Sequence, residues 1–255
     1  MKKSTHSASS SIYTPTQVAA VDISRIPHHV AFIPDGNRRW AKSNNLSTKQ
    51  GHEKGAETLM DTVKAAKELG IKMVTFYSFS TENWSRNPLE VQAIMWLLNT
   101  FLTEQRPLMV RDGIRLQTIG DLSRFSSSVR QTIQDTKDAT VHCGDFDLVL
   151  ALNYGGRDEL RRAVQKICED YAKKTFTSKE VTETLISHYL DTKHWNDPDL
   201  LIRTSGEQRM SNFLLWQTSY TEIYTTAVLW PDFSSQHLLN AILDFQKRQR
   251  RLGAG

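Results

Sequence analysis

Short apolar runs alternate along the chain with longer segments in which apolar residues recur every three or four positions. His29 to Ile33, Met73 to Phe79, Ile114 to Ile119, Phe146 to Leu152, Leu200 to Ile202 and Ile223 to Leu229 read as buried strands. Between the first two, Ala56, Leu59, Val63, Ala66 and Leu69 form one helix face, and Gly70 follows as a stop. Asn87-Pro88 opens a long helix carrying Val91, Ile94, Met95, Leu98 and Leu102. Further helices are predicted over Ser123 to Thr140, Gly156 to Ala172, Ser178 to Leu190 and Ser234 to Arg250. The alternation predicts an α/β fold: a single domain whose central, mainly parallel sheet of about six strands is flanked by helices. In such sheets ligands sit outside the carboxyl ends of the strands, so the segments just after each strand are where chemistry is sought.

Composition narrows this picture. With 255 residues, 39% hydrophobic and 24% charged, the chain can bury one sizeable core, and it has no internal repeat or interior linker. The Ser- and Thr-rich residues 1–21 predict a disordered tail, leaving 22–255 as the folded domain. Met1-Lys2-Lys3 is followed by no apolar stretch of a signal peptide, and no run approaches the roughly 18 apolar residues of a spanning helix. Cys143 and Cys168 show neither metal-ligand nor disulfide spacing, so a soluble protein of the reducing cytoplasm is expected. A net charge of +4 suits acidic partners such as phosphates, nucleic acid or anionic lipid without choosing among them. The terminal cations Lys247, Arg248, Arg250 and Arg251 read as a solvated last helix turn; no aromatic residues interleave with them, which argues against a nucleic-acid partner.

Three post-strand segments are rich in polar groups. In Pro34-Asp35-Gly36-Asn37-Arg38-Arg39-Trp40, Gly36 permits a tight turn with exposed N–H groups, and Arg39 offers a planar fork for phosphate oxygens. A carboxylate beside a phosphate site repels its ligand unless a cation lies between them. Asp35 is therefore either a magnesium ligand or an Asx-turn cap, and the segment alone supports both. The second segment, Phe79 to Arg86, places hydroxyls, an amide and a guanidinium at a strand end, with Trp84 close to Arg86. The third, Arg203 to Asn212, gathers two arginines, hydroxyls and Gly206 into a credible diphosphate cradle. No Walker lysine pattern and no G-x-G-x-x-G occurs, which weakens the common nucleotide-binding readings.

Taken together, the chain resembles the cis-prenyltransferase family, undecaprenyl diphosphate synthases in particular. The resemblance rests on His29 to Ala41, Gly51 to Gly55, Phe79 to Arg86, Ile119-Gly120-Asp121, Asn153 to Arg157, Asp199 to Phe213 and Leu229 to Phe233, in family order over roughly residues 25–252. It implies a transferase that condenses isopentenyl diphosphate with an allylic diphosphate, typically farnesyl diphosphate, into a long-chain cis-polyprenyl diphosphate, the lipid carrier of cell-wall synthesis. It implies Mg²⁺, with Asp35 and Glu222 as metal ligands, and Asp35 and Asn83 as catalytic residues. The substrate-binding positions it implies are Gly36, Asn37, Arg38, Arg39, Trp40, His52, Ser80, Thr81, Glu82, Trp84, Arg86, Arg203, Arg209, Met210 and Ser211. A homodimer also follows from the resemblance. A growing polyprenyl tail needs an apolar channel, or product tunnel, for which Val91, Ile94, Met95, Leu98, Leu102, Leu148 and Leu150 are candidate lining, with core packing the simpler role for any one of them. A peripheral membrane contact would serve product release.

Departures from the family pattern sit near the allylic site. A position that is usually basic in bacterial members is Thr48, with Lys49 beside it; Arg38 stands where Gly is frequent, and Ser205 replaces a frequent Gly. Asn83 is a poor base by itself, so the leaving diphosphate is a rival proton acceptor. A non-catalytic partner subunit or receptor of the same fold is the alternative function, and it would have no need of Asp35 and the arginines that this chain keeps.

Overall fold

The computed structural model describes residues 11–250. Six strands form one sheet: β1 (His29–Ile33), β2 (Met73–Ser80), β3 (Ile114–Ile119), β4 (Phe146–Tyr154), β5 (Leu200–Arg203) and β6 (Glu222–Thr225). Their order is β3-β4-β2-β1-β5-β6, and every neighbouring pair runs parallel. Eight helices accompany them: α1 (Pro15–Ala19), α2 (Asn37–Ser43), α3 (Thr48–Glu68), α4 (Pro88–Arg111), α5 (Ser127–Thr140), α6 (Gly156–Ala172), α7 (Glu183–Tyr189) and α8 (Ser235–Lys247). The predicted α/β class and sheet hold.

Strand pleating divides the core. Val30 and Phe32 of β1 face one side, with Val74 and Phe76 of β2, Val63 and Ala66 of α3, and Leu238 and Ile242 of α8. Ala31 and Ile33 face the other, with Val149, Ala151, Leu201, Phe213 and Leu214. Phe32 and Phe76 stack with ring centroids 4.7 Å apart, and Trp230 caps them while its indole N–H donates to the Gly55 carbonyl at 2.8 Å. α4 carries Pro107 in its interior, where one helical hydrogen bond is missing.

The chain leaves β1 toward β2 on one side, and β1's other neighbour, β5, comes from much later in the sequence. That reversal opens a crevice at the carboxyl ends of β1 and β5, the place where such sheets bind ligands. Near its own carboxyl end β2 slips register against β4, between Tyr77 and Ser80, so that Ser78 has no partner. The bulge bends the strand and sends the following residues toward the crevice.

The structure corrects the predicted tail. Residues 1–10 lie outside the described region, but residues 11–21 are folded onto the domain. Thr14 and Gln17 form a capping box at the start of α1. Tyr13 is 3% exposed, and its backbone N–H, that of Ile12 and the Ser11 hydroxyl all donate to the Glu68 carboxylate. A buried aromatic ring and a satisfied carboxylate outweigh the polar composition. One predicted helix is divided: the segment from Ser178 breaks at Val181, and Thr182 caps a separate α7. No helix among the described residues is long and apolar enough to cross a membrane.

Candidate active site

Asp35 stands two residues beyond β1, inside the crevice. Thr204, directly after β5, fixes it through the main chain: the hydroxyl accepts from the Asp35 N–H at 2.9 Å and donates to the Asp35 carbonyl at 2.7 Å. The Trp230 N–H donates to the same carbonyl at 3.0 Å. Three distant parts of the chain thus converge on one residue, which is why its carboxylate is aimed rather than merely located. Gly36 takes φ +114, which an L side chain rarely adopts, and a Cβ there would press on Leu229.

The carboxylate lies among guanidinium groups. Arg203, its side chain 4% exposed, donates to Asp35 Oδ2 at 2.9 Å and to Ser211 Oγ at 2.7 Å, and also reaches the Arg209 carbonyl. Arg39 lies 3.5 Å from Asp35 Oδ1 and 3.3 Å from Glu207, and it bonds the Ser205 hydroxyl. Glu207 also pairs with Arg209. The Nε of Arg203 is buried without a partner, a donor left over in an otherwise saturated cluster.

Beside this cluster lies a cleft of about 680 Å³ walled by Pro34, Asp35, Gly36, Asn37, Arg38, Arg39, Lys42, Leu46, Thr48, His52 and Arg86. Asp35 is the only acid in that wall, against three arginines and a lysine. Arg86 is held by Glu90 at 3.0 Å. Burial, reinforced by the Arg86 charge, pushes the His52 imidazole below its ordinary value. His52 Nε2 is buried with no hydrogen bond, and its nearest carboxylate oxygen, on Glu90, is 3.7 Å away. Asn37 Oδ1 is similarly orphaned. Buried polar atoms without partners are costly, so both mark places for a ligand's own polar groups.

A second, apolar pocket of about 110 Å³ adjoins the cleft and shares Pro34, Asn37 and His52 with it. Its walls include Leu59 of α3, Phe79 of β2, Ile94, Met95, Leu98 and Phe101 of α4, and Leu150 and Leu152 of β4. Of the predicted tunnel residues, Ile94, Met95, Leu98 and Leu150 face it, whereas Val91, Leu102 and Leu148 are packed into the core. Among the described residues these walls bound a pocket, and a through-going tunnel is not shown.

The segment after β2 forms a 3-10 turn, Thr81–Ser85. Asn83 Oδ1 accepts from the Ser80 N–H at 3.1 Å, capping that turn, so its carbonyl is already engaged and its NH₂ is what remains to offer. Trp84 packs on Phe79 and Phe125 under Arg124, with its indole N–H on Asn153 at 2.8 Å; its role is to anchor the turn. Burial would raise the Glu82 carboxyl, but hydrogen bonds from Asn212, its own backbone, Ser80 and Thr81 together hold it below the ordinary carboxylate range. Trp40 turns away from the cleft to donate to Asp232 at 2.7 Å, and Met210 packs against the second core.

Glu222 is not brought to Asp35 within this chain. It opens β6 in register with Leu200, whereas the crevice begins beyond Arg203, and it accepts from Arg248 at 2.9 Å. The first residue of a parallel strand lies at the end of the sheet opposite the crevice, so within this chain Glu222 does not join Asp35 in the metal site that was expected of the two. The sequence reading placed Thr204, Glu207 and Asn212 in the cradle segment without giving them roles, and it missed Glu90. Asn212 has φ +64, accepts from the Arg157 N–H at 2.9 Å and donates to Glu82 at 2.9 Å.

Comparison with known proteins agrees with this geometry. The family described as "Putative undecaprenyl diphosphate synthase" matches residues 33–253. The chain belongs to that family. It is 45% identical over 237 residues to an isoprenyl transferase of Chlamydia caviae, covering 91% of this chain and 95% of that one. A lavandulyl diphosphate synthase from Lavandula x intermedia, solved with dimethylallyl diphosphate, superposes with a TM-score of 0.87 at 34% identity, covering 89% of this chain and 98% of its own. A probable undecaprenyl diphosphate synthase from Campylobacter jejuni gives 0.75 at 33% identity with the same coverages. The chain is a prenyltransferase that elongates cis-prenyl chains, so the non-catalytic alternative lapses.

Proposed function

We propose that this enzyme condenses isopentenyl diphosphate with an allylic diphosphate, farnesyl diphosphate as starter, to give a long cis-polyprenyl diphosphate that serves as a cell-wall lipid carrier. The observation that carries the reading is the shared wall. A basic cleft and an apolar pocket meet at Pro34, Asn37 and His52, so one ligand with an anionic head and a hydrocarbon tail spans both.

In the reaction the allylic C–O bond breaks, the alkene carbon of isopentenyl diphosphate bonds to the allylic carbon, and a proton leaves to form the new double bond. Arg39 and Arg86 stabilise negative charge on the departing diphosphate. Arg203, Arg209 and Ser211, across Asp35, hold the second diphosphate and thereby orient the alkene. The capping role of the Asn83 carbonyl favours the departing diphosphate as proton acceptor, with the Asn83 NH₂ steering a phosphate oxygen.

Mg²⁺ fits Asp35 only as an ion completed by substrate. Among the described residues no three His, Cys, Asp or Glu side chains gather as a cage, and Mg²⁺ commonly takes one carboxylate plus phosphate oxygens and water. Asp35 would hold it, and the ion would neutralise diphosphate charge. We further read the enzyme as a cytoplasmic homodimer: β6 is a sheet edge, with Tyr220 and Ile223 exposed beside it. Exposed Leu89 and Trp96 on α4, the helix over the apolar pocket, suit a membrane contact during release.

Radiolabelled isopentenyl diphosphate incubated with farnesyl diphosphate, with and without Mg²⁺, tests the reading. Metal-dependent incorporation into a long-chain product is expected; no incorporation under any metal condition refutes it.

A further inference from the structure

We infer that Lys42, with Arg38 one helical turn before it, grips the diphosphate of the allylic substrate where Thr48 leaves the cleft wall uncharged, and that Lys49 takes no part. The inference rests on the proposed function and deepens it.

Four cations line the cleft, and two are already engaged. Arg39 is held by Asp35, Glu207 and Ser205, and Arg86 by Glu90. The Arg38 and Lys42 side chains make no ion pair or hydrogen bond among the described residues. Their i, i+4 spacing on α2 puts both on one face, and that face is cleft wall. Thr48, the first residue of α3, completes the same wall without a charge.

Lys49 is the neighbour of Thr48, but successive helix residues point about 100° apart. Its ammonium lies 4.3 Å from the Trp96 ring centroid and 3.5 Å from Glu53, and it is absent from the cleft wall. The bland role for Lys42 is to complement the carboxyl end of the α2 dipole. That role would affect helix stability and leave substrate affinity alone, so the two are separable. An ammonium on a flexible stem suits a terminal phosphate, which needs charge more than a planar fork.

The test measures KM for each substrate and kcat in wild type, Lys42→Ala, Lys42→Ala/Thr48→Arg and Lys49→Ala, with inorganic pyrophosphate titrated into each as a turnover-free comparison. Losing one charge-assisted contact in this open cleft predicts a KM for farnesyl diphosphate about tenfold higher in Lys42→Ala. KM for isopentenyl diphosphate and kcat should hold within about twofold. Thr48→Arg should restore the affinity, Lys49→Ala should not change it, and pyrophosphate should follow the same order. An unchanged allylic KM and pyrophosphate affinity in Lys42→Ala, or an equal loss in Lys49→Ala, overturns the inference. A wild type that incorporates no isopentenyl diphosphate refutes the proposed function instead, and the pyrophosphate series still decides the role of Lys42.

Discussion

Asp35→Asn separates the two parts that the carboxylate plays. In the resting enzyme Asp35 neutralises Arg203 and Arg39, so a metal-free diphosphate must compete with it for those guanidinium groups. Unit charges at 4 Å attract by about 4 kcal/mol at an effective dielectric of 20 and about 1 kcal/mol in water. Arg203 is buried and the Asp35 side chain is 33% exposed, so about 2 kcal/mol is the reasonable middle value. Asn keeps an oxygen for Arg203 but removes the charge, and freeing the arginines should tighten metal-free pyrophosphate binding about thirtyfold. With Mg²⁺ present the order should reverse if Asp35 holds the ion as proposed, because the variant then lacks that ligand. Turnover should fall on the order of a thousandfold. Calorimetric titration of pyrophosphate in chelator and in Mg²⁺, beside turnover assays, measures both halves. Should Asp35→Asn bind metal-free pyrophosphate no better than wild type, or keep turnover within tenfold, the view of Asp35 as a charge between arginines and metal is wrong.

Other outcomes follow from the same coordinates. A Cβ at Gly55 would stand 2.5 Å from Asn37 Oδ1, so Gly55→Ala should displace that side chain, raise the allylic KM several-fold and lower Tm by a few degrees. Leu98→Trp fills the pocket wall beneath α4, and chromatography of its products should show shorter chains. His29 is fully buried, which pushes its imidazole down to about 4 while Nδ1 donates to the Asn196 carbonyl and Nε2 accepts from Thr75. The unfolded chain therefore binds the extra proton first. Stability is full above about pH 6.5 and is lost as pH falls toward 4, by about 3 kcal/mol in all. Urea midpoints at pH 7.5 and 5 should record that slope, and His29→Gln should flatten it.

The centre of the sheet was legible because its strands bury both faces, so that a run such as Val30-Ala31-Phe32-Ile33 can be little else than a central parallel strand. The crevice was legible by the same logic, since Asp35 follows one strand closely and Arg203 ends the strand beside it. Strand ends were less so. β6 stops at Thr225, where the carbonyls of Thr226 and Val228 turn to accept from Gly206 and Ser205, a pairing that depends on a loop twenty or more residues earlier. Tyr13 was hidden for a like reason: its partners, Glu68 and Ser235, are remote in sequence, and local composition is all that a tail displays. Glu222 could have been placed correctly. It opens its strand, and the rule that located Asp35 after one also excludes Glu222 from the same end. Volume was beyond reach, because the same apolar residues line a pocket or fill a core depending on how α3 and α4 lean together.

The bridge from Asn212 to Glu82 has a kinetic consequence. Asn212 follows the Ser211 that Arg203 holds, while Glu82 adjoins Asn83, and Asn212 also accepts from Arg157 at the start of α6. Three loops, one from each of three strands, are clipped into a single plate. On the proposed assignment of the two diphosphates, a substrate that settles one loop should therefore steady the berth of the other as well. Cutting the clip with Asn212→Ala should weaken both affinities together and dull any preferred order of arrival.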